Sequence, residues 1–341
     1  MDFKDLAGLS EPLKRLIEVI AEGIGGVSRH LLTRKNADAK AYEIRTIAQA
    51  IAESQKLLGP VKYENGSILI EASASVEQTL LPEATWDQRV ISRMAFQEAK
   101  KQSNIEYITQ QAAEELRDEK SVTQERPDSD WITHFFRIAE DITTDQMQML
   151  WGKILAGEVK KPGSYSLRAL DLLKNITKQE AEIFERVGRI SFQSEGKAFV
   201  PNPDNGKYLK EYFGLKFTDF LMLREVNLLV ANDLEFQISP VEQNAQIVFT
   251  CGNTCVLIKR SIDTPQRSMS MKVIVFTEIG HQLLQLIERT PADPNYIKKF
   301  ASFFRSEGVT IYSGLIVEWQ GDGFHYNNLY EVPAESDTKK G

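Results

Sequence analysis

The change in apolar spacing near residue 192 constrains the fold of this chain more than any other feature. Before that point, apolar side chains recur every three or four residues, as in amphipathic helices. After it, they fall in short strand-like runs at 234–238, 246–250, 255–258 and 273–276. The pattern predicts an α+β protein with predominantly helical N-terminal and central parts. A small mixed-sheet, winged-helix-like C-terminal part completes the predicted fold.

Capping residues place the ends of several predicted helices. Ser10 with Pro12 begins an amphipathic helix over 10–27, and two glycines at its end stop it. Thr177 and Glu180 form a capping box for another helix, and Gly157 is expected to close the helix predicted at 145–156. Further helices are predicted at 36–58, 85–116, 145–156, 167–175 and 218–226.

A length of 341 residues indicates two or three folded units. The least regular stretch of the first half is a linker near 60–84 with a short hairpin around Ile68-Leu69-Ile70. The charged run before Asp130 contains Pro127 and separates the halves. We therefore expect an N-terminal helical region over 1–126, a central helical block over 127–190 and a C-terminal α+β region over 191–341.

Charge and cysteine content bear on the partners and the cellular location of the protein. The net charge of -7 makes nucleic acid an unlikely partner, because phosphate binding depends on clustered Lys and Arg. The two cysteines and the lack of any apolar run of about 18 residues favour a cytoplasmic protein.

No catalytic, cofactor-binding or metal-binding constellation is evident, so the prediction for each is none. The four histidines are too scattered for a metal site; they are His30, His134, His281 and His325. Cys251-Gly252-Asn253-Thr254-Cys255 reads as a hairpin turn. Gly206-Lys207 is followed by Tyr208 rather than by Ser or Thr, which excludes an ordinary phosphate-binding loop.

The central block carries the most distinctive sequence. It contains Asp130-Trp131-Ile132-Thr133-His134-Phe135-Phe136, then Trp151-Gly152-Lys153-Ile154-Leu155-Ala156-Gly157-Glu158, and later Glu180-Ala181-Glu182-Ile183-Phe184. This block resembles a bacterial family known as domain of unknown function 2806, DUF2806, and more distantly the abortive-infection alpha proteins. The resemblance implies a bacterial protein with a setting in phage defence, and it supplies no catalytic residues.

These features predict a non-enzymatic sensor or scaffold that acts through protein–protein interaction. The partner is another protein or a second copy, since the helices at 36–58 and 85–116 carry stripes that suit a homo-oligomer. The candidate interaction residues lie in or next to the distinctive block: Trp131, Phe135, Trp151, Tyr165 and Arg168. For the aromatic residues, the competing interpretation is that they form the core.

Three other interpretations stay open at this point. A nucleic-acid-binding regulator would use the winged-helix-like part, but Arg224 is the single basic residue of its recognition helix at 218–226. An enzyme would need a site assembled from distant residues, such as His281 with Cys251 or Cys255. Peripheral membrane contact through 10–27 is not favoured, because the polar face of that helix mixes both charges.

Overall fold

The chain folds as two units, of which the first is mainly helical in its described residues and the second combines helices with a sheet. The computed structural model describes residues 9–25, 61–64, 67–70, 86–238, 246–260, 269–304, 309–320 and 323–333. The chain divides into two compact units, Met1–Leu167 and Arg168–Gly341. The boundaries predicted near 126 and 190 fall inside these units. The predicted helix at 36–58 lies outside the described residues.

The first unit consists of helices and one hairpin. Its described elements are α1 (Glu11–Ile24), β1 (Val61–Glu64), β2 (Ser67–Ile70), α2 (Trp86–Glu115), α3 (Ser129–Ala139) and α4 (Asp145–Lys160). β1 and β2 pair antiparallel, so the hairpin predicted around Ile68 is confirmed. α4 runs three residues past Gly157, and the prediction that this glycine closes the helix is wrong.

α1 is held by its apolar face. It contacts α2, α3 and α4, and its buried side chains include Leu16, Ile17, Val19 and Ile20. This is the packing role that the sequence favoured for the helix over a membrane role. Gly25, with a φ of 83°, ends the helix in the left-handed conformation that suits glycine.

Small residues allow the helices of the first unit to approach closely. A Cβ atom on Gly152 of α4 would stand 2.4 Å from the Cβ atom of Gln111 on α2. A Cβ on Gly157 would stand 2.8 Å from the ring of Tyr165, which explains why a glycine lies inside α4 rather than at its end. Both glycines are therefore packing residues.

In its described residues, the second unit combines six helices with an antiparallel sheet. The helices are α5 (Leu167–Asn175), α6 (Lys178–Arg189), α7 (Lys207–Phe213), α8 (Phe217–Glu225), α9 (Glu278–Leu284) and α10 (Pro294–Ser302). The strands are β3 (Phe192–Ser194), β4 (Lys197–Pro201), β5 (Leu234–Ile238), β6 (Gln246–Cys251), β7 (Thr254–Arg260), β8 (Met269–Val275), β9 (Val309–Gln320) and β10 (Gly323–Glu331).

The sheet has eight described strands in the order β10-β9-β7-β6-β3-β4-β8-β5, and each described pair is antiparallel. The α+β class is confirmed, but the prediction of a small mixed sheet is wrong. The short strands β3 and β4 had no strand-like run long enough to reveal them. They are joined by Glu195 and Gly196, both at positive φ, in a two-residue hairpin. This hairpin places β3 and β4 in the centre of the sheet.

The core of the second unit is aromatic. Phe300 of α10 stacks on Phe192 of β3 with ring centroids 3.7 Å apart, and Phe249 of β6 meets Phe300 edge-on. The capping box of Thr177 and Glu180 at the start of α6 is confirmed. Cys251 and Thr254 pair across the predicted hairpin turn between β6 and β7, so that prediction is confirmed as well.

Candidate functional site

A cleft in the second unit is the candidate site. Its volume is about 510 Å³, within the range typical of small-molecule pockets. Elements that are distant in sequence build it: the loop after β4, the helices α7 and α8, the start of β5, and β8. The lining residues are Asn202, Asn205, Gly206, Lys207, Lys210, Glu211, Leu215, Phe217, Phe220, Arg224, Asp233 and Ile274.

The loop after β4 turns the chain from the sheet into α7. Asn205 and Gly206 both have positive φ, 53° and 84°, which Asn and Gly tolerate better than other residues. The Asp204 carboxylate accepts the backbone N–H of Tyr208 at 3.0 Å and so secures the first turn of α7. The turn chemistry of 201–206 predicted a surface loop, and the structure shows that this loop also forms one wall of the cleft.

A three-residue network forms the polar wall of the cleft. The Asn202 amide nitrogen donates to one carboxylate oxygen of Asp233 at 2.7 Å, and the Arg224 guanidinium pairs with the other oxygen. Asn202 is 5% exposed. The other amide atom, Asn202 Oδ1, and the Nε of Arg224 are buried and have no hydrogen-bond partner among the described residues. A buried polar atom in this state costs about 1–3 kcal/mol.

The amide of Asn202 is oriented by its neighbours. If its oxygen and nitrogen were exchanged, Oδ1 would face the Asp233 carboxylate, and two acceptors would repel each other. The unpartnered atom is therefore an acceptor, while the unpartnered atom of Arg224 is a donor. Both residues line the cleft, and both are held by the same carboxylate.

Charged side chains of α7 also line the cleft. Lys207 and Lys210 of α7 line the cleft and form no ion pair with the described residues, and Glu211 lies beside them. The Asp233 charge is already matched by Arg224. Counting all the lining residues, three cationic side chains face two carboxylates, so the cleft favours a ligand that carries negative charge.

α8 gives the cleft an aromatic side. Phe217 and Phe220 are one turn apart on this helix and both line the cleft. Phe220 is buried, whereas Phe217 is 71% exposed. A phenylalanine this exposed offers a free aromatic face next to the polar wall.

The interaction residues predicted from the sequence lie elsewhere. Trp131, Phe135, Trp151 and Tyr165 are at most 4% exposed, and Arg168 is exposed at the start of α5. The ring of Phe135 lies 5.0 Å from that of Trp131 and 5.3 Å from that of Trp151, and Trp131 donates to the Tyr165 carbonyl at 2.7 Å. The interaction role stays a prediction, and what the structure shows for the four aromatic residues is packing.

The cysteine and histidine candidates are also placed separately from the cleft. Cys251 and Cys255 are free and buried, and burial raises the pKa of the Cys251 thiol to about 12. His281 is half-buried on α9; burial lowers its pKa, and its charged neighbours are Glu278 and Lys197. A thiol with so high a pKa is a poor nucleophile at neutral pH.

In the described part of the chain, no group of three or more His, Cys, Asp or Glu side chains is arranged to hold a metal ion. Over the same residues, no helix combines the length and the apolar character needed to cross a membrane.

Sequence reasoning missed the cleft because its residues are ordinary surface types scattered from 202 to 274. The available signal was the pair Phe217 and Phe220, three residues apart on one side of a helix that follows the basic residue Lys216.

Comparisons with known proteins agree with the resemblance in the central block. A family model described as protein of unknown function, DUF2806, matches residues 88–301. No curated protein and no solved structure matches the chain.

Proposed function

Because the chain belongs to the DUF2806 family, whose description assigns no activity, we propose a function from the cleft: a non-enzymatic sensor that binds a small ligand and acts through protein contacts. The observation that carries this proposal is the cleft of about 510 Å³ with unpartnered polar atoms on Asn202 and Arg224. A ligand that satisfies those atoms would recover the free energy that they cost.

The chemistry of the lining supports binding over catalysis. None of its twelve residues contributes a hydroxyl, a thiol or an imidazole. Arg224 and Asp233 are engaged with each other, which is suited to orienting a ligand. The buried Cys251 thiol, with its raised pKa, adds no nucleophile elsewhere.

The same residues argue against a nucleic-acid-binding regulator. In the predicted recognition helix, now α8, Arg224 has a side chain that is 15% exposed and paired with Asp233. It is therefore not available to a base edge or a phosphate.

The protein-contact part of the proposal rests on α2. Its first half carries apolar side chains that are between 46% and 69% exposed: Trp86, Ile91, Met94 and Phe96. Exposed apolar side chains that are contiguous mark interaction surfaces, and Ile91 and Met94, three residues apart, lie on the same side of α2. We take the partner to be a second copy. A role in phage defence belongs to the same proposal and is supported by the resemblance to the abortive-infection alpha proteins alone.

A thermal-shift screen tests the ligand part. The full chain would be melted with a panel of polar metabolites, alongside the Asn202→Leu variant. We expect at least one compound to raise the Tm of the wild type and not that of N202L. The matched control is Asn175→Leu, at an exposed asparagine of the same unit, which should respond as the wild type does. A panel that leaves the wild type unchanged contradicts the proposal.

Sedimentation velocity tests the contact part. The wild type should sediment as an oligomer at micromolar concentration, and Ile91→Glu with Met94→Glu should shift it to monomer. A wild type that is monomeric under these conditions excludes self-association.

A further inference from the structure

We infer that the cleft binds a phosphorylated nucleoside. This inference rests on the proposed ligand-sensing function and names the chemical class of the ligand. It draws on three features of the cleft, namely its polar wall, its free lysines and its exposed aromatic ring.

The polar wall fits the edge of a nucleobase. Asn202 Oδ1 needs a donor and Arg224 Nε needs an acceptor, and both groups are held by Asp233. Nucleobases present an N–H or amino donor beside a carbonyl or ring-nitrogen acceptor on one edge. Both atoms are buried, so a base would complete these hydrogen bonds once the Asn202 and Arg224 side chains turn toward the cleft that they line.

The aromatic side fits the face of the base. Phe217 is 71% exposed and lies on the same side of α8 as the buried Phe220. Stacking of a base on an aromatic side chain favours binding of nucleotides and nucleosides alike. Since every base has such a face, Phe217 would favour the nucleoside without choosing among the bases.

The two free lysines fit the phosphate. Lys207 and Lys210 are three residues apart on α7, so their ammonium groups lie on one side of the helix. Glu211 is next to them and opposes the most highly charged anions. The phosphate would contact lysine side chains rather than a backbone loop, which agrees with the absence of a phosphate-binding-loop sequence at Gly206-Lys207.

Isothermal titration of the full chain tests the ligand class. The probes are AMP, GMP, CMP and UMP, with the four nucleosides, ribose 5-phosphate and inorganic phosphate as partial ligands. We expect at least one nucleotide to bind at least about tenfold more tightly than its nucleoside or ribose 5-phosphate, equivalent to about 1.4 kcal/mol.

Variants divide the ligand into its parts. Lys207→Gln with Lys210→Gln should weaken nucleotide binding about tenfold and leave nucleoside binding unchanged. Phe217→Ser should weaken both and spare ribose 5-phosphate. The control Lys174→Gln, at an exposed lysine of α5, should bind as the wild type does, and each variant's Tm is measured to confirm folding.

The outcomes separate this inference from the proposed function. Inorganic phosphate binding as tightly as any nucleotide overturns the nucleoside assignment. The same holds if no nucleotide binds while a different metabolite shows a thermal shift that N202L abolishes, and the sensor proposal then stands. If neither screen finds a ligand for the wild type, both fail together.

Discussion

The helical core around Trp151 and the cleft beside Asn202 differ in what surrounds their buried groups. In the core, aromatic rings fill the space, with Phe135 within 5.3 Å of Trp131 and Trp151. In the cleft, two buried polar atoms have no partner among the described residues, and an exposed phenylalanine stands beside them. Within the residues that the structure describes, the core also contains one unpartnered buried atom, Nε1 of Trp151, but aromatic rings pack around that residue, whereas Asn202 and Arg224 line an open cleft.

This comparison shows that the most distinctive part of the sequence is not the part that forms the candidate site. The block from Trp131 to Phe184 is the most recognisable part of the chain because large aromatic residues at helical spacing are needed to fill a core. The polar residues that line the cleft are Asn, Lys, Arg, Asp and Glu, which are common on protein surfaces. The recognisable aromatic residues of the first unit therefore mark its core.

The largest effect should come from emptying the core. Trp151→Ala removes a fully buried ring and should lower the free energy of unfolding by about 3–5 kcal/mol. Urea denaturation of the full chain measures this. Trp86→Ala is the matched control, because Trp86 is 69% exposed and its loss should cost little. Equal costs for the two variants would break the comparison.

A single added methyl group should also disturb the core. Gly152→Ala favours the helix intrinsically, but its Cβ would stand 2.4 Å from the Cβ of Gln111. We expect a net loss of about 1–3 kcal/mol in the free energy of unfolding. Lys153→Ala, on the exposed side of the same helix, controls for substitution in α4. A stabilised G152A would show that the two helices have room to separate.

The buried carboxylate of Glu158 gives the first unit a pH dependence. It accepts the backbone N–H groups of Gly163 and Tyr165, yet burial outweighs these bonds and raises its pKa. The unfolded value is about 4.3. A raised folded value means that the wild type loses stability as the pH rises above about 4 and Glu158 ionises.

Glu158→Gln cannot ionise and removes this loss. The stability of the wild type minus that of E158Q should therefore fall as the pH rises above about 4, as measured by urea denaturation at each pH. The exposed Glu115 provides the control Glu115→Gln, for which the difference should stay level. If the stability of E158Q instead falls relative to that of the wild type as the pH rises, the backbone hydrogen bonds to Glu158 outweigh its burial.

The helices could be predicted from residues that are close together in the sequence, whereas the cleft depends on residues that are far apart. Thr177 with Glu180 marks a helix start because both partners of the capping box are close in sequence. Gly157 misled because a glycine that makes room for Tyr165 looks the same in sequence as one that ends a helix. The hydrogen bond between Asn202 and Asp233 joins residues that are 31 positions apart, and no spacing rule brings such a pair together.

Two buried asparagines, one in the first unit and one in the cleft, test the comparison through the smallest expected effect. Asn104 in the first unit is bonded at both ends: it donates to the Glu140 carbonyl at 2.7 Å and accepts from Gln148 at 3.0 Å. Asn202 is bonded at one end only. Asn104→Ala leaves buried partners unsatisfied and should cost about 1–3 kcal/mol.

Asn202→Ala loses one hydrogen bond but also removes a buried acceptor that had no partner. These terms are of similar size, so the free energy of unfolding should change by less than about 0.5 kcal/mol. Both residues are almost equally buried, at 6% and 5% exposure, so burial alone cannot produce the contrast. A cost for N202A as large as that for N104A would mean that the cleft is completed by the chain itself, and the reason for expecting a ligand there would be lost.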